Sequence, residues 1–290
     1  MKVLVIVNPV SGGGRGTAMG ERLCGELSAR GASVEKFVTR RAGDARGHAG
    51  LPGFDCVAVV GGDGTVNEAA NGLSSQETRL AILPLGTANV VAKELGIPSD
   101  PPAVADLIVR DSTRVVDAGR YGSRRFLLGV GAGPDAAVVE EVHRARGRSL
   151  SYASYVRPAL RVLLGYRFPA IRVEIDGSAV CEDANYVVVG NCRYSAGVFP
   201  VTPLARIDDG LLDVCVVRNL SLLRLAALAL ATHRPGFSTR RGVMYAKGRE
   251  IVLSSSDGRR VPFQVDGDPG GELPLSLCVE TSAFRMVAPA

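Results

Sequence analysis

The sequence predicts an α/β domain with a doubly wound parallel sheet, followed by a β-rich antiparallel domain. Strands and helices alternate along the first third of the chain, and these strands are continuously apolar, which is typical of strands buried on both faces. From about residue 120, short strand candidates follow one another, separated by Gly, Asp and Pro turns. A chain of 290 residues also has the length of two ordinary domains. We therefore expect domains at 1–120 and 121–290.

The first domain begins with alternating strands and helices. Continuous apolar runs predict strands at 2–7, 33–39, 55–60 and 79–83. Helical patterns occupy 15–30, 66–73 and 88–95, and Gly96 ends the last of them. Because strands that alternate with helices form βαβ units, we expect a parallel sheet with right-handed crossovers.

The second domain has a series of short predicted strands, at 126–130, 170–175, 185–189, 211–217, 250–253, 261–265 and 273–280. Helical patterns interrupt them near 135–165 and at 221–232. Turn residues between so many short strands favour antiparallel pairing. The pattern leaves open whether the last strand packs back on the first domain.

The net charge of +5 lies entirely in the second domain, because residues 1–120 hold thirteen basic and thirteen acidic side chains. Two stretches of the second domain, between Glu141 and Glu174 and between Asp213 and Glu250, contain seven basic residues each and no acid. These stretches are either solvated helix faces or surfaces that attract an anionic partner, such as membrane headgroups or nucleic acid.

The six cysteines are isolated, without a CxxC pair, which disfavours metal knuckles and redox motifs and fits reduced thiols in the cytosol. The longest apolar run, 225–231, is far shorter than the roughly 20 residues of a membrane span. The apolar run at 3–7 is too short for the core of a secretory signal. We therefore expect a cytoplasmic protein that is soluble or peripheral at a membrane.

Three glycine-containing loops follow predicted strands and precede helices. The first, 8–16, reads Asn-Pro-Val-Ser-Gly-Gly-Gly-Arg-Gly, and it fits neither the P-loop nor the Rossmann spacing. Its glycines allow backbone N–H groups to approach a phosphate at a helix N-terminus, although a flexible turn explains them equally well.

The second loop, 61–68, reads Gly-Gly-Asp-Gly-Thr-Val-Asn-Glu and follows a strongly apolar strand. Close approach of the backbone to a phosphate explains three glycines better than a simple turn does. Asp63 is a candidate ligand for a magnesium ion that bridges phosphate oxygens, and Thr65 and Asn67 are candidate hydrogen-bond partners. The alternative is a turn in which Asp63 or Thr65 caps the helix.

The third loop, 83–89, places Thr87 and Asn89 at a helix start, where they cap the helix and are also available to a nucleotide. Since ligands of open α/β sheets bind at the carboxyl ends of the strands, we expect the three loops to converge on one edge of the sheet. Their convergence indicates a nucleotide site more strongly than any single loop does.

In this order and spacing, Asn8-Pro-x-Ser-Gly, the 61–68 loop and Gly86-Thr87-x-Asn89 resemble the diacylglycerol/sphingosine kinase catalytic domain. Residues 199–203, 208–214 and 265–269 are similar to the C-terminal domain of bacterial soluble lipid kinases. The resemblance therefore covers nearly the whole chain. It implies a nucleotide domain and a lipid-substrate domain with the active site in the cleft between them, and ATP-dependent phosphorylation of a lipid hydroxyl.

The resemblance also implies site residues. Those expected at ATP are Asn8, Pro9, Val10, Ser11, Gly12, Thr39, Gly61, Gly62, Asp63, Gly64, Thr65, Val66, Asn67 and Thr87. Asp63 would also orient the catalytic magnesium ion. A structural magnesium ion would be held by the Asp209 side chain and the backbone carbonyls of Arg206 and Leu211, an oxygen set that suits a hard cation.

The family's general base is usually the Glu of an Asp-Gly-Glu motif, and this chain has Asp268 at that position. Asp268 is one methylene shorter, and it would accept the proton of the lipid hydroxyl if its backbone lies closer to that group. From the residues alone, 266–268 is better interpreted as a hairpin turn with solvated acids. Gly13 and Val90 stand where bacterial members often carry Lys and Asp, two charges that a relay to the structural metal would use.

Two alternatives to a lipid kinase remain. A soluble-metabolite kinase of the NAD kinase type shares the Gly-Gly-Asp-Gly-Thr element, but it needs neither the basic stretches nor the first loop. The departures at Val90 and Asp268 also allow a catalytically inactive lipid- or nucleotide-binding homologue. The acceptor is open as well: diacylglycerol, phosphatidylglycerol, a sphingoid base or an isoprenoid alcohol.

For a lipid kinase, the basic second domain favours an anionic membrane surface over nucleic acid, for which the chain has no motif and few aromatic residues. An amphipathic stretch at 152–164, with Arg157 and Arg161 one helical turn apart, is the candidate for contact with the membrane. We expect ATP and magnesium as cofactors, a lipid substrate and no nucleic-acid partner, and a homodimer is left open.

Overall fold

A computed structural model describes residues 1–144, 160–194, 200–231 and 242–290. The chain divides into two compact units. Unit 1 comprises Met1–Ala118, Ile207–Gly210 and Glu280–Ala290, and unit 2 comprises Gly119–Arg206 and Leu211–Val279. The roles assigned above to 1–120 and 121–290 stay predictions.

Unit 1 contains a parallel sheet of four strands: β1 (Lys2–Val7), β2 (Ser33–Val38), β3 (Cys56–Gly61) and β4 (Arg79–Pro84). Their order is β2-β1-β3-β4. All of β3 and β4 is buried, as is all of β1 except Lys2. The continuously apolar runs are therefore strands buried on both faces, and the predicted parallel sheet is confirmed.

The helices of unit 1 are α1 (Ser11–Gly14), α2 (Gly16–Ala29), α3 (Asp44–Ala49), α4 (Asp63–Ala70), α5 (Val90–Glu94) and α6 (Pro101–Val109). Helix α2 packs against α6, and α3 packs against α4. The sequence pattern misses α3, which is short, and α6, which begins with two prolines. Helix α4 begins at Asp63, three residues before the predicted start, because the glycine loop itself forms the first turn.

Two strands belong to both units. Strand β5 (Thr113–Tyr121) begins in unit 1 and ends in unit 2, and β15 (Leu275–Val287) runs from unit 2 into unit 1. Within unit 1, Met286 of β15 pairs in parallel with Leu80 of β4. The backbone N–H of Ala288 then donates to the carbonyl of Ser112 at 3.1 Å. The C-terminal segment is thus part of the first unit's sheet.

Unit 2 is built from short strands: β6 (Arg124–Phe126), β7 (Gly129–Ala132), β8 (Ile171–Ile175), β9 (Ser178–Gly190), β10 (Leu212–Arg218), β11 (Val243–Gly248), β12 (Glu250–Ser255), β13 (Pro262–Val265) and β14 (Asp268–Glu272). These strands pair antiparallel, which confirms the predicted arrangement. The sequence pattern misses β5, β11 and β14, and the strand predicted at 126–130 is divided between β6 and β7. Helices α7 (Pro134–Arg144) and α8 (Leu222–Ala231) accompany them, and residues 160–165 are also helical.

Two apolar clusters form the core of unit 2, and the larger one joins the strands. Inward-facing residues of β8 alternate with partly exposed ones, so that Ile171 and Val173 join Val187 and Val189 of β9. Phe126 is fully buried in the same cluster. Within the described ranges, no helix is both long and apolar enough to cross a bilayer.

Candidate active site

The loop after β1 has a left-handed backbone at three consecutive glycines. Gly12, Gly13 and Gly14 have φ angles of 62°, 70° and 91°, a conformation that is costly for residues with a Cβ atom. Arg15 Nε donates to the carbonyl of Gly12 at 2.9 Å. The three glycines are therefore explained by the backbone that they adopt, whichever ligand the loop binds.

Asn8 joins this first loop to the second. Its Nδ2 donates to Thr65 Oγ1 at 3.0 Å. On the other side of β1, the backbone N–H and the hydroxyl of Thr39 both donate to the carbonyl of Val7, at 2.9 and 3.3 Å. Asn8, Thr39 and Thr65 thus lie at the carboxyl ends of neighbouring parallel strands, as the three-loop argument predicts.

The second and third loops touch through their backbones. A Cβ atom built on Gly86 would lie 2.6 Å from Gly62 Cα, and one built on Gly62 would lie 3.0 Å from Gly86 Cα. Asn89 shapes the third loop, because its Oδ1 accepts from the N–H of Gly86 and its Nδ2 donates to the carbonyl of the same residue, both at 2.8 Å. Glycine is therefore required at 62 and 86 by packing between the loops.

Asp63 reaches from the second loop to the start of α5. Its Oδ1 accepts from the N–H of Val90 at 2.8 Å. Burial raises the pKa of Asp63, while the N–H groups of Val90, Val91 and Asn89 oppose that shift by stabilising the carboxylate. Val90, whose side chain is apolar, therefore contributes its backbone N–H to this site.

The remaining residues predicted at ATP are spread along the same loops. Val10 and Thr87 are exposed, and the side chain of Val66 lies in the core. The side chain of Asn67 accepts from Asn71 Nδ2 at 3.1 Å, so it is engaged within α4. Any contact of Val66 with a nucleotide would have to use its backbone.

Sequence reasoning missed Asp117, a buried acid in β5. Its Oδ2 accepts from the N–H of Gly210 at 2.7 Å, and its Oδ1 accepts from the N–H of Ser282 at 2.8 Å. Its own N–H donates to the carbonyl of Ile207 at 2.7 Å. Asp117 thus holds both ends of the 207–210 loop. The available signal was an acid directly after the apolar run of β5.

The 207–210 loop carries Asp209, the predicted carboxylate ligand of a structural metal. Asp208 beside it pairs with Arg114 at 2.8 Å, and Asp209 is partly buried. Among the described residues, no group of three or more His, Cys, Asp or Glu side chains is suited to a metal ion. The predicted set contains one carboxylate and two carbonyls, all hard oxygen donors in a loop whose backbone is held, and this chemistry fits magnesium.

The predicted base lies in the hairpin of β13 and β14. Asp266 and Gly267 form the turn, with φ angles of 50° and 87°. The carboxylate of Asp266 accepts from the N–H groups of Leu127, Leu128 and Gly129 at 2.9 to 3.0 Å, so it is bound by the backbone rather than solvated. Asp268 itself is exposed.

Arg124 lies on β6. Its pKa is raised, first by a hydrogen bond with the hydroxyl of Tyr121 at 3.3 Å and to a smaller extent by the charge of Asp268. Arg124 is therefore close enough to Asp268 for their charges to interact.

Sequence reasoning also missed Asp135, a buried acid of unit 2. It lies in the first turn of α7, where its Oδ2 accepts from Gln264 Nε2 at 3.2 Å. Its Oδ1 is buried without a hydrogen-bond partner among the described residues, and so is the hydroxyl of Tyr166. Burial raises the pKa of Asp135 to about 6, although the hydrogen bond from Gln264 opposes the shift. The ionised carboxylate of Asp135 therefore lowers the stability of the folded protein.

Two family models match the chain, one over its first part and the other over the rest. A family model described as the diacylglycerol kinase catalytic domain matches residues 2–121, and the YegS C-terminal NAD kinase beta sandwich-like domain matches residues 129–288. The chain is 27% identical over 278 residues to a diacylglycerol kinase of Staphylococcus carnosus (strain TM300), covering 94% of this chain and 90% of that one. It is 29% identical over 259 residues to one of Staphylococcus haemolyticus (strain JCSC1435), covering 87% and 77%. A crystal structure of a diacylglycerol kinase from Bacillus anthracis str. Sterne aligns with a TM-score of 0.77 at 27% identity, covering 99% and 96%.

The pKa of Asp135 predicts how stability depends on pH. Because the carboxyl of the folded protein has a pKa of about 6 against 3.8 in its ordinary state, folding favours the protonated form, and stability is lost as pH rises through 6. Asp135→Asn removes the charge and keeps the shape. We expect the variant to gain up to roughly 3 kcal/mol over the wild type between pH 4 and pH 7, measured by urea unfolding. Equal pH dependence in both proteins would contradict the shifted pKa.

Proposed function

We propose that the chain, which belongs to the diacylglycerol kinase family by its catalytic domain and carries a YegS-type C-terminal domain, is an ATP- and magnesium-dependent lipid kinase. The observation that carries the proposal is the set of three loops in unit 1, joined by the Asn8–Thr65 and Asp63–Val90 hydrogen bonds. The acceptor that the relatives' names favour is the hydroxyl of a diacylglycerol-like lipid.

The nucleotide would bind to unit 1 at the carboxyl ends of the parallel strands. The loop of Asn8–Gly12 and the loop of Gly61–Asn67 would supply backbone N–H groups to the phosphates, with Thr39 and Thr87 at the sides of the site. Glycine backbones permit this because no Cβ atom separates the N–H groups from the phosphate oxygens. Phosphoryl transfer needs such positioning and charge neutralisation more than it needs covalent chemistry.

Magnesium would have two places in this scheme. Asp63 would hold the ion that accompanies the nucleotide, because its carboxylate has a second oxygen, Oδ2, besides the Oδ1 that accepts from the N–H of Val90. The Asp209 carboxylate and the carbonyls of Arg206 and Leu211 would hold the structural ion. When bound, the ion at the nucleotide neutralises charge on the phosphate oxygens.

Asp268 would act as the general base. Its carboxylate would take the proton of the lipid hydroxyl while that oxygen bonds to the γ-phosphorus, and the bond from the γ-phosphorus to the β–γ bridging oxygen would break to release ADP. Three features of unit 2 support this role: the exposure of Asp268, the held turn beside it and the positive charge of Arg124 nearby.

We also propose that unit 2 contacts an anionic membrane surface. The 152–164 stretch that the sequence singles out falls mostly outside the described residues, and its end, 160–164, is described. There Leu160 and Leu164 are 55% and 67% exposed one helical turn apart, and Arg161 beside them is exposed. Exposed leucines flanked by arginine are suited to the headgroup region of a bilayer.

The test of the function is a transfer assay with purified protein, labelled ATP and magnesium. We expect label on a lipid from a panel of diacylglycerol, phosphatidylglycerol, a sphingoid base and an isoprenoid alcohol, and loss of transfer when the metal is chelated. Label on NAD and on no lipid would replace the proposal with an NAD-type kinase. Binding of ATP without label on any acceptor would indicate an inactive homologue.

Substitutions of Asp268 and Asp63 test the assigned roles. Asp268→Ala should lower kcat at least about a hundredfold, the range that general-base catalysis supplies, and Asp268→Glu should retain activity. Asp63→Asn keeps an oxygen for the N–H of Val90 but removes the charge, so it should fold and lose transfer. Glu182→Gln removes a 59%-exposed carboxylate of unit 2 and should behave as the wild type. Full activity in Asp268→Ala would eliminate it as the base.

Membrane contact is tested by co-sedimentation with vesicles. Binding should rise with the content of anionic lipid and fall with salt, because the attraction is electrostatic. Leu164→Asn and Arg161→Glu should each weaken binding, and Arg40→Glu, an exposed basic residue of unit 1, should not. Binding that ignores anionic lipid, salt and both unit 2 variants would contradict the proposal.

A further inference from the structure

The turn that precedes Asp268 is held at two points. The first is Asp266, whose carboxylate binds three backbone N–H groups. The second is Gly267, whose N–H donates to Gln264 Oε1 at 2.8 Å. Because Gly267 is bonded directly to Asp268, the side chain of Gln264 restrains the backbone one residue away from the proposed base.

Asp135 determines which way the Gln264 amide points. Gln264 is 8% exposed, and its Nε2 donates to Asp135 Oδ2 at 3.2 Å while its Oε1 accepts from Gly267. An ionised carboxylate only accepts hydrogen bonds. A rotated amide would therefore set its oxygen against the carboxylate and its NH₂ against the N–H of Gly267. Both contacts would be repulsive, so ionised Asp135 selects the orientation that holds the turn.

The surrounding backbone leaves room for this bond. A Cβ atom built on Gly131 of β7 would overlap Asp135 Oδ2 and lie 2.8 Å from Gln264 Nε2. Strand β7, helix α7 and strand β13 thus meet at one buried hydrogen bond, since Gly131, Asp135 and Gln264 each belong to a different one of them. All three residues belong to unit 2.

We propose that Asp135 and Gln264 are positioning residues, which fix the turn of Asp266 and Gly267 so that Asp268 is held where it takes the proton of the acceptor hydroxyl. The proposal rests on the proposed function, because it assumes Asp268 as the base. Neither residue reacts. They act through the backbone of Gly267, and the loss of either one leaves Asp268 present but less well placed.

The proposal includes a dependence on pH. A protonated Asp135 carries an O–H donor and accepts either amide orientation, so the restraint on Gly267 weakens as Asp135 takes up a proton. Burial raises the pKa of this carboxyl to about 6, within the range of an ordinary assay. Two tyrosines interact with the charge of Asp135, Tyr186 on β9 and Tyr166. Helix α7 also carries Glu140, Glu141, His143 and Arg144, and β14 carries Asp268 and Glu272. Arg260 pairs with Glu140 and Glu272.

The main experiment compares Gln264→Leu, Asp135→Asn and the wild type in the transfer assay. Gln264→Leu should lower kcat about ten- to a hundredfold and leave KM for ATP unchanged, because misplacement of a catalytic group costs rate rather than nucleotide binding. Asp135→Asn presents an oxygen to Gln264 at every pH. It should therefore keep kcat near neutral pH, and the fall in rate centred near pH 6 in the wild type should move to lower pH.

Asn185→Leu is the matched control. Asn185 also bridges two backbone groups of unit 2, since its Nδ2 donates to the carbonyl of Pro169 at 3.2 Å and its Oδ1 accepts from the N–H of Leu220 at 2.9 Å. Its loss should lower stability and leave kcat and the pH profile unchanged. A second readout is hydrogen exchange of the Gly267 N–H by NMR, which should accelerate in Gln264→Leu and not in Asn185→Leu.

The outcomes separate the two proposals. Unchanged exchange of Gly267 in Gln264→Leu, or faster exchange with unchanged kcat, would overturn the positioning role while Asp268 remains the base. Full activity of Asp268→Ala would overturn the base and with it the positioning of a base. If the wild type phosphorylates no lipid, the proposed function fails, and exchange of Gly267 in Gln264→Leu then decides alone whether Gln264 holds the turn.

Discussion

The candidate site of unit 1 depends on the contact between the backbones of Gly62 and Gly86. A Cβ atom at Gly86 would stand 2.6 Å from the Cα atom of Gly62, closer than real Cβ contacts come, and one at Gly62 would stand 3.0 Å from the Cα atom of Gly86, which is tighter than most. The loops after β3 and β4 therefore meet only because both residues lack a side chain. This approach brings Asp63 within 2.8 Å of the N–H of Val90, so one steric constraint places a carboxylate at the start of the next helix.

Carboxylates that bind backbone N–H groups recur through the chain. Asp63 binds Val90, Asp117 binds Gly210 and Ser282, and Asp266 binds the 127–129 segment. Each joins segments that are far apart in sequence, and each satisfies N–H groups that a loop would otherwise leave unpaired. Charge-assisted bonds of this kind are stronger than neutral ones. These three acids hold loops in place, whereas Asp268 is exposed.

The strands of unit 1 were predictable because burial on both faces leaves a continuous apolar run, and β1, β3 and β4 match theirs within one residue. The antiparallel character of unit 2 followed from its turns, but β14 did not, since Asp268–Glu272 contains two glycines and no apolar pattern. A side chain whose partner lies far away in the sequence, such as a backbone N–H for Asp117 or the Gln264 amide for Asp135, leaves no local spacing. That is why Asp117 and Asp135 escaped notice, and why Asp63 was recognised from its glycine motif without its bond to Val90.

The short side chain of Asp268 has to be considered together with the turn that precedes it. A glutamate has an additional rotatable bond with which to adjust its carboxylate to an acceptor, whereas an aspartate places its carboxylate closer to the backbone. The position of Asp268's oxygens is therefore set more by the turn than by the side chain. In this chain the turn is bound on one side by Asp266 and on the other by Gln264, whose amide is in turn bound by Asp135. A short acidic side chain on a restrained turn can adjust its position less than a long one, but its carboxylate is placed more precisely. Proton transfer in a fixed geometry requires such precise placement.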